Sequence, residues 1–305
     1  MARPMAVTPG TGPDVRPRVG RISALDLPWS VVTPRSTVAA MTTVLDIETV
    51  GHLRVLRLNR PERKNALNGP LIEGIVSGLR DAAQDGDVWA VAMTGNGDAF
   101  CSGLDLAGVG DDRDDRDDGD SPEDGSSRDH FALVARYECE KPILAGVNGV
   151  AVGIGVSLAM CADIRLAAPS ARFHPGYARV GTSPDGGLTW TLPEAIGYER
   201  SLRFFFEQRM VSASEALALG MVGEVRATDE AFEERFLEYG QMLAAVAPIA
   251  ARQTKRLVSG IARPPDLAAH LSEEIRLTLQ AFTTGDSKEA VRAMAARERP
   301  IFTGR

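Results

Sequence analysis

The sequence predicts an α/β fold, and two observations point to it. Apolar stretches with strand-like alternation recur through the first two thirds of the chain, and segments of helical periodicity lie between them. The composition agrees, because 44% hydrophobic and 25% charged residues in a chain of 305 are typical of a globular protein with one large domain or two ordinary ones.

The chain divides into three predicted regions. Residues 1–40 contain six prolines and little periodic apolar pattern, so we expect a disordered N-terminal extension there. Residues 41–245 carry the alternating pattern and are predicted to form the core. Residues 246–305 are predicted to be a helical C-terminal region.

The first elements of the core have clear signals. Alternating apolar residues at 44–47 and 53–58 predict paired strands on either side of a turn at Gly51. Three- and four-residue steps after Asn68 predict a helix with Asn68 as its N-cap and Pro70 in its first turn. Further strands are predicted at 88–94, 143–147 and 163–168, and a helix at 153–161.

Strands become scarce after about residue 190, and the final third is predicted to be mostly helical. Ser212 and Glu215 have the spacing of a capping box. Residues 229–263 and 266–297 have the periodicity of amphipathic helices.

The negative charge is concentrated in one segment. Residues 111–130 hold ten acidic side chains and three arginines, which accounts for the whole formal net charge of -7. Like charges at this density predict a solvated, flexible loop at 110–129. The remainder is formally neutral, so nothing indicates a nucleic-acid-binding surface.

Several other classes are not indicated. Apolar stretches end well before the ~18 residues of a membrane span, so we expect no membrane partner. The three cysteines are far apart and the histidines lack ligand spacing, so we expect a cytoplasmic protein with no metal. Gly153 and Gly155 begin a dinucleotide fingerprint, but Leu158 occupies the place of its last glycine, and we expect no bound cofactor.

Three segments together resemble the enoyl-CoA hydratase/isomerase, or crotonase, superfamily, over about residues 42–304. The first segment, Arg60–Asn68, reads RPERKNALN, and the second, Ala99–Leu106, reads AFCSGLDL. The third segment begins at Lys141-Pro142 and contains Asn148-Gly149 and the GIG of Gly153–Gly155. It continues with CADIR at Cys161–Arg165, PDGG at Pro184–Gly187 and Leu192-Pro193. The carboxyl end, RERPIFTG, matches as well.

The resemblance implies a crotonase-like core of repeated ββα units and a helical C-terminal oligomerisation region, residues 246–305, that supports assembly as a homotrimer or a dimer of trimers. It also implies an acyl-CoA thioester substrate, with coenzyme A bound as part of the substrate. The residues implied at the CoA site are Arg63, Lys64, Ala66, Leu67, Asp105 and Leu106.

The resemblance further implies an oxyanion hole formed by the backbone N–H groups of Leu104 and Ile154. A thioester carbonyl gains negative charge when it becomes an enolate or a tetrahedral oxyanion, and aimed N–H donors stabilise that charge. Glycines beside both residues let the backbone approach the substrate. The alternative is that these glycines serve tight turns only.

The catalytic side chains depart from the hydratase pattern. The two positions where hydratases carry glutamates hold Ser157 and Tyr177 here, so the standard hydration mechanism lacks its carboxylates. Asp185 matches the acid/base aspartate of certain dienoyl-CoA and ring-modified enoyl-CoA isomerases. It also matches the nucleophilic aspartate of 4-chlorobenzoyl-CoA dehalogenase, whose active-site histidine falls at His130 and whose substrate-side tryptophan falls at Tyr177.

Each of these residues has a structural alternative. Asp185 lies in a Pro-Asp-Gly sequence, which is a common turn. His130 follows the acidic loop and begins a helix, which is compatible with a surface position, and Tyr177 can simply pack. Ser157 is expected to be a small residue facing the acyl pocket, and His174 is expected on a neighbouring strand.

The first functional hypothesis is therefore proton transfer next to a thioester, with Asp185 as acid/base, in an isomerase or hydratase-like lyase. A second is nucleophilic chemistry, in which Asp185 attacks a substrate carbon and His130 activates water. A third is an acyl-CoA-binding relative without turnover, because both hydratase glutamates are missing.

Overall fold

The computed structural model describes residues 44–105, 130–180, 183–259 and, towards the carboxyl end, 276, 280, 283–296, 298 and 300–305. Several predicted features lie outside these residues: the extension 1–40, the acidic loop 110–129, Leu106, and, within the helices predicted over 229–263 and 266–297, residues 260–263 and most of 266–282. The described residues belong to one compact unit, Pro34–Arg305. The proposed division at residue 245 stays a prediction.

The described strands form two sheets. In chain order the strands are β1 (Leu45–Val50), β2 (Leu53–Leu58), β3 (Ala90–Gly95), β4 (Ala99–Cys101), β5 (Ile143–Val147), β6 (Val150–Val152), β7 (Ile164–Ala167), β8 (Arg172–His174), β9 (Val211–Ser212) and β10 (Glu224–Val225). Within that part of the chain, the larger sheet has the order β1-β2-β3-β5-β7-β10 and the smaller has the order β4-β6-β8-β9. Pairing is parallel except between β1 and β2 and between β8 and β9.

The helices pack around these sheets. They are α1 (Gly69–Gln84), α2 (Phe131–Leu133, continued by a π-helical segment, Val134–Glu138), α3 (Ile154–Met160), α4 (Leu188–Ile196), α5 (Tyr198–Glu207), α6 (Ala213–Leu219), α7 (Glu230–Leu243), α8 (Pro248–Val258) and α9 (Gly285–Ala296). Among the described residues, no helix combines the length and apolar character needed to cross a membrane.

Local signals in the sequence account for many of these elements. Gly51 has a φ of +62° in the turn of the β1–β2 hairpin. Asn68 caps α1, where its side chain accepts a 3.1 Å hydrogen bond from the Leu71 N–H. Ser212 and Glu215 form the complete capping box of α6. The predictions for these elements are confirmed.

The helical pattern predicted over 229–263 is divided between two helices. Helix α7 ends at Leu243 and α8 begins only at Pro248. A proline has no backbone N–H to donate into a preceding turn, and it keeps the residue before it out of the helical region. Ala247 accordingly has a ψ of 113°, so Pro248 starts a new helix instead of continuing the old one.

The larger sheet is buried on both faces. Along β2, Leu56 and Leu58 join the main core, whereas Leu53 and Val55 join a second cluster beneath α7. Gly146 on β5 makes room for α7, because a Cβ there would lie 2.4 Å from the ring of Phe236.

The smaller sheet determines where the predicted site residues meet. Strands β4, β6 and β8 are parallel, so their carboxyl ends lie along one edge. The chain leaves those ends at Cys101, Val152 and His174. The segments that follow contain Leu104, Ile154 and Tyr177, which the topology therefore brings close together.

Candidate active site

The loop before α1 is held in an unusual backbone conformation by Asn65. Lys64 and Asn65 have φ values of +52° and +56°, in the left-handed region that asparagine tolerates better than most residues. The buried Asn65 side chain accepts a hydrogen bond from the Arg60 N–H and donates to the carbonyls of Asn96 and Ala99 at 2.9 and 2.8 Å. These bonds fix the loop against the start of β4.

The described residues among those predicted to contact coenzyme A lie on or beside this loop. Arg63 and Lys64 are exposed, whereas Ala66 and Leu67 are buried. Lys64 pairs with Asp98 and thereby lowers the pKa of that carboxyl. Asp105 forms a 2.7 Å ion pair with Arg60, so its carboxylate binds the first residue of the loop segment Arg60–Asn68.

The two glycine-flanked turns pack against one another backbone to backbone. A Cβ on Gly155 would lie 2.2 Å from the carbonyl oxygen of Cys101, which is closer than any side chain allows. A Cβ on Gly103 would lie 3.1 Å from the carbonyl oxygen of Val152, and Gly103 has a φ of +107°. The turn after β4 and the turn after β6 therefore come together only because these two residues are glycine.

The backbone around Leu104 leaves its N–H unused. Leu67 donates to the Gly103 carbonyl at 2.7 Å and accepts from the Asp105 N–H at 2.8 Å. This is a parallel bridge between Leu67 and Leu104, so the N–H of Leu104 itself points away from Leu67. Among the described residues it has no hydrogen-bond partner.

The N–H of Ile154 is also unused. Ile154 is the first residue of α3, and the first N–H groups of a helix have no partner within it. No described residue accepts a hydrogen bond from this group. The helix end adds partial positive charge at the same place. Both amides predicted for the oxyanion hole are thus available, on two turns in direct contact.

Three of the predicted side chains form one hydrogen-bonded cluster. The Tyr177 hydroxyl lies 2.9 Å from Oδ1 of Asp185 and 3.0 Å from Oγ of Ser157. Oγ of Ser157 also lies 3.0 Å from the main-chain oxygen of Asp185. Ser157 and Tyr177 are buried, whereas Asp185 is exposed. Burial raises the pKa of Tyr177, so its hydroxyl keeps its proton.

A glycine holds this cluster against α3. Gly186 has a φ of +66°, and a Cβ there would lie 2.6 Å from Cβ of Ser157 and 3.0 Å from Cγ1 of Ile154. The turn that carries Asp185 therefore rests directly on the first turn of α3, next to the Ile154 amide.

His130 lies close to Asp185, with which it interacts electrostatically. Its Nδ1 accepts a 3.1 Å hydrogen bond from the Ala132 N–H, which caps α2. The start of α2 also touches the Asp185 turn, because a Cβ on Gly187 would lie 3.3 Å from Cβ of Ala132. Burial lowers the pKa of His130, and the nearby Asp185 carboxylate partly opposes this.

In the described residues, His174, Cys101 and Cys161 form no hydrogen bond with the side chains of Ser157, Tyr177 or Asp185, although the Cys161 thiol lies 3.8 Å from the Gly186 carbonyl oxygen. His174 lies on β8, as expected, and its Nε2 is 3.0 Å from the Gln208 carbonyl. Burial raises the pKa of Cys101 and of Cys161 to about 12, so both remain thiols. In the described part of the chain, no group of three or more His, Cys, Asp or Glu residues could hold a metal ion.

The motifs that contain Asn65, Arg60 and Gly186 do not by themselves indicate a role for any of the three. One feature of the sequence could have indicated the role of Asn65, namely the preference of asparagine for left-handed backbone conformations. The close contacts of Gly186 leave no such signal in the sequence.

Comparison with known proteins identifies the family. The family model described as enoyl-CoA hydratase/isomerase matches residues 48–305. The chain belongs to the enoyl-CoA hydratase/isomerase family. It is 35% identical over 261 residues to a probable enoyl-CoA hydratase of Rhodobacter capsulatus, covering 83% of this chain and 95% of that protein.

Two further relatives extend this finding. The chain is 32% identical over 253 residues to the 1,2-epoxyphenylacetyl-CoA isomerase of Escherichia coli, covering 82% of this chain and 94% of the relative. A crystal structure of an enoyl-CoA hydratase subunit from Geobacillus kaustophilus aligns with a TM-score of 0.75 at 26% identity, covering 86% of this chain and 98% of that one.

The family assignment confirms the crotonase-like α/β fold predicted from the sequence. This member of the hydratase/isomerase family is an acyl-CoA enzyme, and an acyl-CoA thioester is the substrate consistent with the family.

Proposed function

We propose that this enzyme transfers a proton at a carbon next to the thioester of an acyl-CoA, in an isomerase-type reaction, with Asp185 as the acid/base. The observation that carries the proposal is the Ser157–Tyr177–Asp185 cluster. Through the Tyr177 hydroxyl it holds the carboxylate of a turn that packs against the start of α3, where the Ile154 amide is unused, although both hydratase glutamates are absent.

The backbone amides of Leu104 and Ile154 would stabilise the enolate oxygen. Each oxyanion-hole donor typically contributes about 2.7–4 kcal/mol to a transition state of this kind. Their availability supports the role, as does the close packing of the two turns that carry them. Removal of a proton from the neighbouring carbon then needs one base and not a pair of carboxylates, and Asp185 can be that base.

The hydroxyl groups of the cluster can serve both protonation states of Asp185. The three contacts of the cluster each join two oxygen atoms 2.9–3.0 Å apart, so each needs one proton to be a hydrogen bond. When Asp185 is ionised, only two protons are present, those of the Ser157 and Tyr177 hydroxyl groups. Protonated Asp185 supplies the third, with the carboxyl donating to Tyr177, Tyr177 to Ser157, and Ser157 to the Asp185 carbonyl. When Asp185 is ionised, Tyr177 turns its proton towards the carboxylate. Such a network suits a group that accepts a proton and then returns it.

Isomerisation is favoured over hydration for two reasons. Hydration in this family uses a glutamate pair to deliver water and return a proton, and Ser157 and Tyr177 cannot do so. The E. coli relative is named for an isomerase reaction on a ring-modified acyl-CoA. We therefore place ring-modified and unsaturated acyl-CoA thioesters first among the substrates.

A second candidate is dehalogenase-like chemistry, in which Asp185 attacks a halogen-bearing substrate carbon, the carbon–halogen bond breaks and halide leaves, and His130 activates the water that hydrolyses the resulting ester. The observation in its favour is the proximity of His130 to Asp185. A relative that only binds acyl-CoA is the weaker alternative, because the relatives reported above carry enzyme names.

The remaining parts of the proposal concern binding and assembly. The loop with Arg63, Lys64, Ala66 and Leu67 would bind coenzyme A, together with Asp105 and Leu106. We also propose a homotrimer or dimer of trimers in the cytoplasm. The three buried free cysteines are compatible with a reducing compartment.

The decisive experiment screens the enzyme against saturated, 2-enoyl, 3-enoyl, dienoyl and aryl CoA thioesters, with chromatography and mass spectrometry of the products. We expect conversion of at least one thioester to an isomer of unchanged mass. In Asp185→Asn we expect kcat to fall by about 10²–10⁴-fold. Full activity of that variant on every converted thioester would refute the proposal.

The variant His130→Asn separates the two enzyme schemes. Under the dehalogenase scheme, loss of the water-activating base leaves the acyl-CoA, minus halide, joined through its attacked carbon to the Asp185 carboxylate as an ester, which intact-protein mass spectrometry detects as an adduct. Under the proton-transfer scheme no adduct forms.

A further inference from the structure

His130 has one ring nitrogen already committed. Its Nδ1 accepts the hydrogen bond of the Ala132 N–H, and a nitrogen that accepts cannot carry a proton. In the neutral imidazole the single proton therefore lies on Nε2. The other tautomer would set two N–H groups against one another at the start of α2.

The ring is held in this neutral form by its surroundings. Burial lowers the pKa of His130, and the chain after it enters α2 immediately, so the cap cannot rearrange without unwinding that turn. Its Nε2 forms no hydrogen bond with any described residue. The result is a fixed, unused N–H donor on a ring that interacts electrostatically with Asp185 and lies at the helix start that contacts the Asp185 turn.

We propose that His130 is a specificity residue whose Nε2–H donates a hydrogen bond to an oxygen substituent on the acyl group, selecting acyl-CoA thioesters that carry a hydroxyl, epoxide or carbonyl oxygen near the reacting carbons. This inference rests on the proposed function for its substrate class. It also assigns His130 a role opposite to that of a general base, because an Nε2 that carries a proton cannot accept another.

The first part of the test reads the tautomer directly. Nitrogen-15 NMR of protein labelled in its histidine rings distinguishes protonated from unprotonated nitrogens, and the His130 signals are those absent from His130→Asn. We expect Nε2 protonated and Nδ1 unprotonated near neutral pH. Protonation at Nδ1 would overturn the proposal.

The second part measures binding with matched ligands. The probes are 3-hydroxybutyryl-CoA against butyryl-CoA, and 2-hydroxyphenylacetyl-CoA against phenylacetyl-CoA, each by calorimetry. We expect the wild type to bind the hydroxylated member of at least one pair about 3- to 10-fold more tightly, as one neutral hydrogen bond allows.

The variant His130→Asn is the appropriate comparison because asparagine is a good N-cap but places no donor where Nε2 lies. We expect it to lose the preference for the hydroxylated ligand and to bind the plain ligand within about two-fold of the wild type. Absence of any preference in the wild type, or its survival in His130→Asn, would overturn the proposal.

Failure of the proposed function would be distinguishable from failure of this inference. Asp185→Asn retains His130, so the ligand preference should persist in that variant whether or not turnover is lost. Retained turnover in Asp185→Asn would refute the acid/base role while leaving the binding result for His130 to be judged separately.

Discussion

The hydroxyl of Tyr177 donates a 2.9 Å hydrogen bond to Oδ1 of Asp185. The ring of Tyr177 is buried and lies 3.9 Å from the position that a Cβ on Gly153 would occupy, just before α3. The carboxylate on an exposed turn is thus hydrogen-bonded to a buried side chain that follows β8 of the smaller sheet. Tyr177, at a position where hydratases carry a glutamate, orients the carboxylate that remains.

The first prediction concerns Tyr177→Phe, which removes this hydrogen bond and keeps the ring. A hydrogen bond to a charged group is worth about 1.5–3 kcal/mol, so we expect kcat to fall by about 10- to 100-fold. KM should change less than two-fold, since the thioester contacts remain. Tyr198→Phe is the matched control, because the Tyr198 side chain is 76% exposed on α5 and has no predicted role in the site. Equal kcat values for the two variants would contradict the assignment.

The second prediction concerns the contact between the two turns. Gly155→Ala would place a methyl group 2.2 Å from the Cys101 carbonyl, so the turns must separate. We expect a loss of about 1–3 kcal/mol or more in the free energy of unfolding, measured with denaturant, together with loss of turnover. Gly69→Ala is the control, because nothing lies within 4 Å of a Cβ there. Wild-type stability of Gly155→Ala would show that the packing is described wrongly.

A third prediction concerns the buried amide of Asn65. The change Asn65→Asp keeps the acceptor but replaces two donated hydrogen bonds with a charge facing two carbonyls. We expect the free energy of unfolding to fall by about 2–4 kcal/mol and KM for the thioester to rise. The same substitution at Asn68 should be nearly neutral, because aspartate caps a helix as well as asparagine does. Comparable stability of the two variants would count against the role of Asn65.

A fourth prediction follows from the lowered pKa of His130. The unfolded chain binds a proton at this residue near the ordinary value of about 6.5, whereas the folded protein binds it only at lower pH. The unfolded state therefore holds more protons just below pH 6.5, and stability falls as the pH falls through that value. His130→Asn should lack this component, so its denaturation midpoint should depend less on pH between about 7 and 5. Parallel pH profiles for wild type and variant would contradict the lowered pKa.

Much of the fold could be predicted from the sequence because its signals are local. The β1–β2 hairpin and α1 have long periodic patterns, and Asn68 and Ser212 are recognisable caps. The strands β6, β8, β9 and β10 have only two or three residues each, which is too short for any periodicity to show. Their pairing depends on contacts between distant parts of the chain.

The site was predictable in part. Motif spacing indicated Leu104, Ile154, Ser157, Tyr177 and Asp185, and the structure brings the last three into one hydrogen-bonded cluster. The spacing did not reveal that Tyr177 donates to Asp185. Nor did it reveal that capping of α2 fixes the tautomer of His130, because both features depend on side-chain directions that only the folded chain defines.

Exchange of the hydrogens next to the thioester with deuterium from solvent tests the central claim most directly. Proton NMR of a converted acyl-CoA in ²H₂O would follow the exchange with wild-type enzyme and with Asp185→Asn. We predict enzyme-dependent deuterium incorporation at that carbon and a fall of at least about a hundred-fold in its rate in Asp185→Asn. Exchange at the wild-type rate in the variant would show that another group removes the proton, which would contradict the account.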